Sequence, residues 1–416
     1  MRDVVTIGAG LAGLAAAIKA ADAGLSVTLI TKGVGGIQLG TGTVDILGYG
    51  PDPVEAPLDA IPAHVASRPT HPYAHVSPEQ VGASVAWLRD IVGPDALVGD
   101  ETRNVRIPTG VGALRPTCLI PPSMQAGIPQ AGARYAIVGL ARFKDFYPSL
   151  VAENLSRQTG PDGAPIKARA LSVDYVVREG EIDSVGTVHA RSLDHEENRA
   201  RLAAQIRPLL EDGEIVGLPA VLGLDDPRAW RDLVDKLGHP VFEIPVQPPS
   251  VPGMRLNASL TRLASAKARV VLGSPLKALH TADGRVQAVE YASAGRATRV
   301  ETRAVILAAG GFESGALEMD SYGVVRDTVC GLPVMGPTGQ LLHADFWGEE
   351  QPLFLAGLAV DDSMRVVDEN GKAVYTNLFA AGGNLAGATR WREKSGEGIA
   401  LASALAAVDA IVEELK

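Results

Sequence analysis

"VVTIGAGLAGLAAAIKAADAGLSVTLITKG", residues 4–33, decides the fold. The apolar opening at 3–8 reads as a short buried strand, the Ala- and Leu-rich residues 11–23 as a helix, and "SVTLIT" at 26–31 as a second strand. Gly8, Gly10 and Gly13 stand between the first strand and the helix in the spacing G-x-G-x-x-G. In such a turn the first glycine permits the tight bend. The second lets backbone approach phosphate, and the third lets helix and strand pack closely. Leu11 and Ala12 complete the turn, whose N–H groups and positive dipole end face an anion. A dinucleotide site usually carries an acid about 20 residues further on, which accepts the ribose hydroxyls. Thr31 and Lys32 stand there instead. Thr31 can still make one such hydrogen bond, but free exchange of NAD is not expected as the main role.

The second strand runs into "GVGGIQLGTGTVDILG" (33–48), a loop dense in glycine. Such a loop can turn successive N–H groups toward one anion or polar edge. That makes Gly35, Gly36, Gly40, Thr41, Gly42 and Thr43 candidates for a ligand cradle. Residues 51–75, rich in Pro and His, read as a linker or inserted flap, and Ser77 as N-cap with Pro78 at N1 opens a helix. Residues 109–123 and 134–143 read as strand and turn, 198–211 as helix, and 213–238 as strand, turn and helix. These stretches mark 51–245 as an inserted α/β lobe.

The nucleotide-fold pattern resumes over 246–312 with a helix, the strand stretch "RVVLGSPLKAL", a hairpin and a buried strand at 304–309. That strand ends in Gly310-Gly311, so Ala309 and Gly310 must pass close to something. A small insertion at 313–372 precedes the last part, 373–416, with a strand and turn in "AVYTNLFAAGG" and a terminal helix with Ser395 as its N-cap. The expected fold is α/β, a discontinuous Rossmann-like flavin-binding domain (1–50, 246–312, 373–416) carrying the inserted α/β lobe.

Composition bounds the function. The chain has 416 residues, 46% of them hydrophobic, ample for a core and for more than one lobe. A net charge of -10 without a Lys/Arg block gives no support to a nucleic-acid partner. Cys118 and Cys330 are the only cysteines, which excludes a disulfide framework or an iron–sulfur site made by this chain alone. No targeting segment or membrane span is read, so a cytoplasmic chain is expected, reaching the inner face of the cell membrane only through a partner.

The C-terminal segment selects the ligand class. Gly382 and Gly383 end the last strand, and "SGEGI", with Ser395, Gly396, Gly398 and Ile399, starts a helix toward the ligand. The N1/C2=O edge of a flavin gains negative charge on reduction, which a helix N-terminus stabilises. An N-terminal phosphate turn, a central "VILAAGG" strand and this terminal helix together spell a flavin in an extended cradle. Arg390, Arg392 and Lys394 lie between the last glycine turn and the helix and can compensate a reduced flavin; His343 is a candidate proton donor. His71 and His75 flank Tyr73 without metal-ligand spacing, and no metal is assigned. Lys144 and Asp145 are expected to stabilise the inserted lobe or a subunit contact.

These three motifs resemble those of the fumarate reductase/succinate dehydrogenase type of flavoprotein. In that group a Ser-Lys pair commonly replaces the acid after the second strand, a pattern similar to Thr31-Lys32. Its covalent-flavin histidine falls in the loop occupied here by "GGIQLGTG", which has none, so the resemblance implies a non-covalent flavin. A nearer resemblance spans nearly the whole chain. "GTGTVDILG" (40–48), "HPY" (71–73), "GLARFKDFYPSLVAENL" (139–155), "PVQPPSVPGMRL" (245–256) and "LAAGGFESGAL" (307–317) resemble the B-subunit family of anaerobic glycerol-3-phosphate dehydrogenase.

That resemblance implies an electron-transfer subunit in a complex that oxidises glycerol 3-phosphate to dihydroxyacetone phosphate. A separate catalytic FAD subunit would oxidise the substrate, and an iron–sulfur subunit would carry electrons to quinone. The resemblance implies FMN in this chain, whereas the dinucleotide turn implies FAD. Two rivals stand beside it: a self-sufficient flavin oxidoreductase acting on a small carboxylate or alcohol, and a redox-inactive assembly subunit.

Overall fold

The structure, a computed structural model, describes residues 1–293, 295–345 and 348–416. Ala294, in the turn of the expected hairpin, and Phe346 and Trp347, in the expected small insertion, lie outside the described residues. The chain forms two compact units: Met1–Gly36, Asp45–Leu88 and Ser259–Lys416 in the first, Ile37–Val44 and Arg89–Ala258 in the second.

These limits differ from the expected lobe at 51–245. Residues 45–88 join the first unit through the Gly398 N–H, which donates to Asp45 O, and through the Glu393 carbonyl, which accepts the Gly48 and Tyr49 N–H groups. Val44 instead exchanges backbone hydrogen bonds with Leu119 in the second unit. The supposed flap at 51–75 is ordered structure, a helix α2 at Pro57–Ser67 and a short 3₁₀ turn at Pro72–His75. Its His64, Arg68 and His71 gather at the buried Glu393, whereas His75 pairs with the exposed Asp362.

In the first unit, strand β1 (Arg2–Ile7) lies between two parallel neighbours, strand β2 (Val27–Ile30) and the long strand Arg296–Leu307. Arg269–Val271 extends the parallel sheet beyond β2. The long strand changes partners along its length. Its first half pairs antiparallel with Arg285–Ser293, and its end pairs parallel with Leu378–Ala380. Val4, Val5, Leu29 and Ile30 are fully shielded, as expected of parallel strands covered on both faces. Helix α1 (Leu11–Asp22) is apolar except at Lys19 and Asp22 near its end, with Leu14 to Ile18 buried, and packs against the terminal helix Gly396–Leu415. Ser77 caps its helix as expected: its hydroxyl accepts the Gln80 N–H while Gln80 Oε1 accepts the Ser77 N–H.

One expected strand is broken. "RVVLGSPLKAL" leaves the parallel sheet after Val271, because Gly273 is left-handed (φ +67°) and Pro275 cannot donate to a ladder. Leu276–Ala282 then joins the antiparallel part.

The second unit has its own parallel sheet, in the order Val241–Ile244, Glu214–Pro219, Arg134–Leu140, Lys167–Val173. Helices Pro148–Ser156, Glu196–Ile206 and Ala229–Leu237 supply Val151, Leu155, Leu202 and Leu233 to one core with Ile137, Val216 and Phe242. Lys144 pairs with Asp183 here at 3.5 Å, both well exposed.

Candidate functional site

Three parallel strands of the first unit end level with one another, at Ile7, Leu307 and Ala380, and each runs into glycine. At Gly8 (φ +109°) a Cβ would stand 2.1 Å from Ala308 O, and at Gly13 it would stand 2.0 Å from Gly8 O. Both are close backbone approaches that no side chain survives. Gly10 differs, because a Cβ there would meet nothing within 4 Å. Helix α1 also starts without a side-chain cap. The turn is therefore packed on its inner side and open where phosphate oxygens would approach its N–H groups.

Gly35 and Gly382 close on the same turn. A Cβ on Gly35 would fall 2.3 Å from Ala9 O, so the loop after β2 sits against the turn; Gly36 follows it in open space. Gly382 (φ +79°) lies against the Ala12 methyl, and Gly310 (φ +85°) against Ser314, whose hydroxyl donates to Ala309 O at 2.8 Å. Both ends of the chain thus converge. Thr31 folds its hydroxyl onto Gly33 O, and Lys32 Nζ donates to Ser314 O at 2.8 Å, tying the end of β2 to the turn after Leu307.

Other candidates have partners of their own. Gly40, Thr41, Gly42 and Thr43 belong to the second unit. There the Arg115 guanidinium donates to the hydroxyls of Thr41 and Thr43 at 3.1 Å, and Gly42 packs on Pro252. Arg390 Nη1 lies 3.4 Å from Glu313 and close to Gly383; Arg392 donates to Gly348 O. His343 holds Gln351 through its backbone, and its ring is 4.0 Å from Glu349. At the terminal helix, Gly398 cannot serve as an open donor. Its N–H donates to Asp45 O at 2.9 Å, and a Cβ there would be 2.2 Å from the Tyr73 hydroxyl. Ile399 is buried, with its N–H bonded to Ser395 O. Ser395 occupies the cap position, yet its hydroxyl makes no cap and donates to Glu393 at 2.9 Å.

Glu393 is the centre of a network that sequence reasoning missed. Its Oε1 accepts from Arg68 Nη1, the Thr389 N–H and the Thr389 hydroxyl, each at 3.1 Å. Its Oε2 accepts from His71 Nε2 at 3.1 Å and from Ser395. His71 Nδ1 accepts the Tyr73 N–H, so the ring proton sits on Nε2 and the neutral imidazole is a donor. Burial alone would raise the Glu393 carboxyl. The two imidazoles beside it, His71 hydrogen-bonded and His64 3.7 Å away, outweigh it and hold the group well below the usual carboxylate range. Burial, partly offset by Glu393, pushes His71 below its ordinary value.

Arg68 also grips Glu350 through two hydrogen bonds, at 2.9 and 2.7 Å. His64 Nε2 stands 3.7 Å from Oε1 and is buried without a hydrogen-bond partner. Ligand atoms of His64, His71 and Glu393 all lie within 4.8 Å of one another. A cation does not suit them, because Arg68 already sits on the carboxylate and His71 points a proton at it. The same glutamate shapes the backbone. Its carbonyl accepts the N–H groups of Gly48 and Tyr49, both at 2.9 Å, and Lys394 after it is left-handed (φ +52°). That conformation costs a non-glycine residue about 1 kcal/mol.

A family model described as "FAD binding domain" matches residues 3–399. A Halobacterium salinarum protein, named as a probable B-subunit of anaerobic glycerol-3-phosphate dehydrogenase, is 32% identical over 99% of this chain and 98% of its own length. The anaerobic glycerol-3-phosphate dehydrogenase B-subunit of Yersinia pestis bv. Antiqua is 30% identical over 99% and 98%. The chain belongs to this B-subunit family of anaerobic glycerol-3-phosphate dehydrogenase.

That family is one of flavin oxidoreductases, and the subunit name places its members in multi-subunit complexes. Among solved structures, 3-ketosteroid delta1-dehydrogenase from Sterolibacterium denitrificans matches 99% of both chains at 12% identity with a TM-score of 0.45. Likeness at that level transfers neither substrate nor site. The glycine turn fits the flavin the family implies, being open at Gly10 and uncapped at α1. Among the described residues no helix is long and apolar enough to cross a membrane.

Proposed function

We propose that this chain is the flavin-binding electron-transfer subunit of an anaerobic glycerol-3-phosphate dehydrogenase complex. A separate catalytic FAD subunit oxidises glycerol 3-phosphate to dihydroxyacetone phosphate. This chain passes the electrons toward an iron–sulfur subunit and quinone, and it meets the inner face of the membrane only through a partner. The observation that carries the reading is the convergence of Gly8–Gly13, Gly35, Gly310 and Gly382 at the level ends of three parallel strands. Cys118 and Cys330 are the only cysteines, so cluster ligands must come from another subunit.

The ligand proposed is FAD, bound without a covalent link. A bound flavin supplies reversible acceptance and release of electrons. The open side of the Gly8–Gly13 turn and the uncapped start of α1 receive the diphosphate, a group that FMN lacks. Gly35 and Gly36 form the wall beside it, and the segment Gly382–Gly396 brings the start of the terminal helix to the flavin edge. Arg390, Arg392 and Lys394 lie in that segment as compensating charge.

The test is to purify the full chain from flavin-sufficient cells, denature it and separate the released chromophore. FAD is the expected product, and a colourless chain overturns the proposal. FMN would retain the flavin and overturn the diphosphate assignment. Turnover of glycerol 3-phosphate with a dye acceptor by the chain alone would replace the relay with the self-sufficient enzyme.

A further inference from the structure

We propose that Glu393 is a positioning residue for the flavin: its buried carboxylate holds the Ser395 hydroxyl away from the terminal helix and fixes the turn that starts it. This rests on the reading that the terminal helix begins at the flavin's N1/C2=O edge. Serine at a cap position ordinarily turns its oxygen onto the N–H groups of the first helical turn. Here that hydroxyl is a donor to Glu393 Oε2, and the helix begins without a side-chain cap. Helix α1, at the phosphate end of the same cradle, also begins without one, through Gly10. At the N-terminal end the cap is absent by residue choice. At the C-terminal end it is present in the sequence and drawn off by a carboxylate two residues earlier.

The network around Glu393 is larger than one serine requires. Arg68 and His71 reach it from the segment after α2, and Thr389 reaches it from the turn itself. The Glu393 carbonyl accepts from Gly48 and Tyr49, so the side chain and main chain of one residue join three segments of the first unit. Lys394 and Ser395 follow directly, and their backbone directions set where the helix points. The neighbouring charged side chains are Arg68 and Glu350, the imidazoles of His64 and His71 lie beside them, and both oxygens of the carboxylate accept hydrogen bonds. Glutamine has the shape of glutamate but one acceptor oxygen in place of two. It would face an NH₂ toward either Arg68 and Thr389 or His71 and Ser395, and the turn would lose one of its two grips.

The test compares Glu393→Gln, Glu393→Asp and a control, Glu243→Gln, in the full chain. Glu243 is an equally buried carboxylate held by Arg255 in the second unit. E393Q is expected to weaken flavin binding about tenfold, to shift the midpoint potential of the flavin that remains, and to speed amide exchange at 395–399. E393D, which keeps both oxygens and the charge, is expected to recover part of the affinity and potential. E243Q is expected to lower thermal stability while leaving both at wild-type values.

Wild-type affinity and potential in E393Q, or equal losses in E243Q, overturn the proposal. If E393Q does not fold, Ser395→Ala removes the competing hydroxyl and one grip on the turn. Faster exchange confined to 395–399 supports the proposal there, and exchange unchanged from wild type overturns it. A wild-type chain that takes up no flavin overturns the reading beneath the proposal. Amide exchange, measured without flavin, then still decides whether Glu393 holds the turn.

Discussion

Each unit of this protein buries glutamate against arginine, and two of these centres, Glu243 with Arg255 and Glu393 with Arg68, are wired differently; the second unit also holds Glu214 against Arg169. Glu243 in the second unit accepts from both terminal nitrogens of Arg255, from the Ser123 hydroxyl and from the Leu222 N–H. Arg255 spends its remaining donors on Leu222 O and Gly223 O. That centre is closed, and no imidazole is among those partners. Glu393 in the first unit shares its arginine with the half-buried Glu350, is flanked by two imidazoles, and leads within two residues into a helix that the proposed function turns on a flavin. The closed centre holds a core together. The open one has chemistry left over at the residues nearest the candidate site.

Arg255→Met tests the closed centre most severely. It leaves Glu243 buried without its counter-charge, and breaking such a pair costs about 3–5 kcal/mol. Denaturant titration is expected to show that loss while any bound flavin keeps its visible spectrum. A spectrum that changes with the stability would break the contrast between the units.

Acid separates them next. His189, fully buried in the second unit, accepts or donates at Ser184 Oγ over 3.0 Å, and burial pushes its pKa down to about 4. The folded imidazole is therefore neutral where the unfolded one takes a proton. Its contribution is complete above about pH 6.5 and is lost as pH falls toward 4, by about 3 kcal/mol. Glu393 has a depressed carboxyl, so its contribution is complete above the ordinary value of 4.5 and is lost progressively below it, as pH falls toward the folded value. Amide exchange at decreasing pH is expected to open the second unit first. Earlier opening around Glu393 would show that its ionisation is not protected.

Legibility followed the range of the interactions. The Gly8–Gly13 turn could be read because the demands on its glycines are local: a left-handed φ at Gly8 and backbone contact at Gly13. The left-handed φ of Gly310 and Gly382 is a demand of the same local kind. The Glu393 centre could not, because Arg68 and Glu393 are 325 positions apart. A faint signal was present in His64, Arg68 and His71, spaced four and three apart as on one helical face, within a stretch read as a linker. Ser395 shows the opposite error. Local rules made it a helix cap, and a tertiary partner took its hydroxyl. Gly40–Thr43 fall in the second unit, because the division lies between Gly36 and Ile37, which no composition change announces.

The open wiring also sets how much each arginine matters. Arg68→Met removes one of five donors to Glu393, whereas Arg255→Met removes two of four from Glu243. His71, Thr389 and Ser395 remain, so the expected loss is about 2 kcal/mol, near the value of a hydrogen bond to a charged group. A loss as large as that of Arg255→Met would mean that Glu393 depends on charge pairing rather than on its dispersed donors.

Glu350→Gln asks the smallest question and the sharpest one about Arg68. Its carboxylate, 22% exposed, takes two hydrogen bonds from that guanidinium and one from the Thr389 hydroxyl. A partly solvated pair of this kind contributes about 1 kcal/mol or less, and water can replace what glutamine does not. With Glu350 neutral, Arg68 keeps its bond to Glu393 and Thr389 can turn its hydroxyl wholly to that carboxylate. Denaturant titration is therefore expected to show at most a small loss, and amide exchange at 395–399 is expected to stay at the wild-type rate. If E350Q instead speeds exchange there as much as Arg68→Met does, the grip on the turn passes through Glu350. The first unit's centre would then be a surface ion pair with a buried end, and its contrast with Glu243 would rest on exposure rather than on wiring.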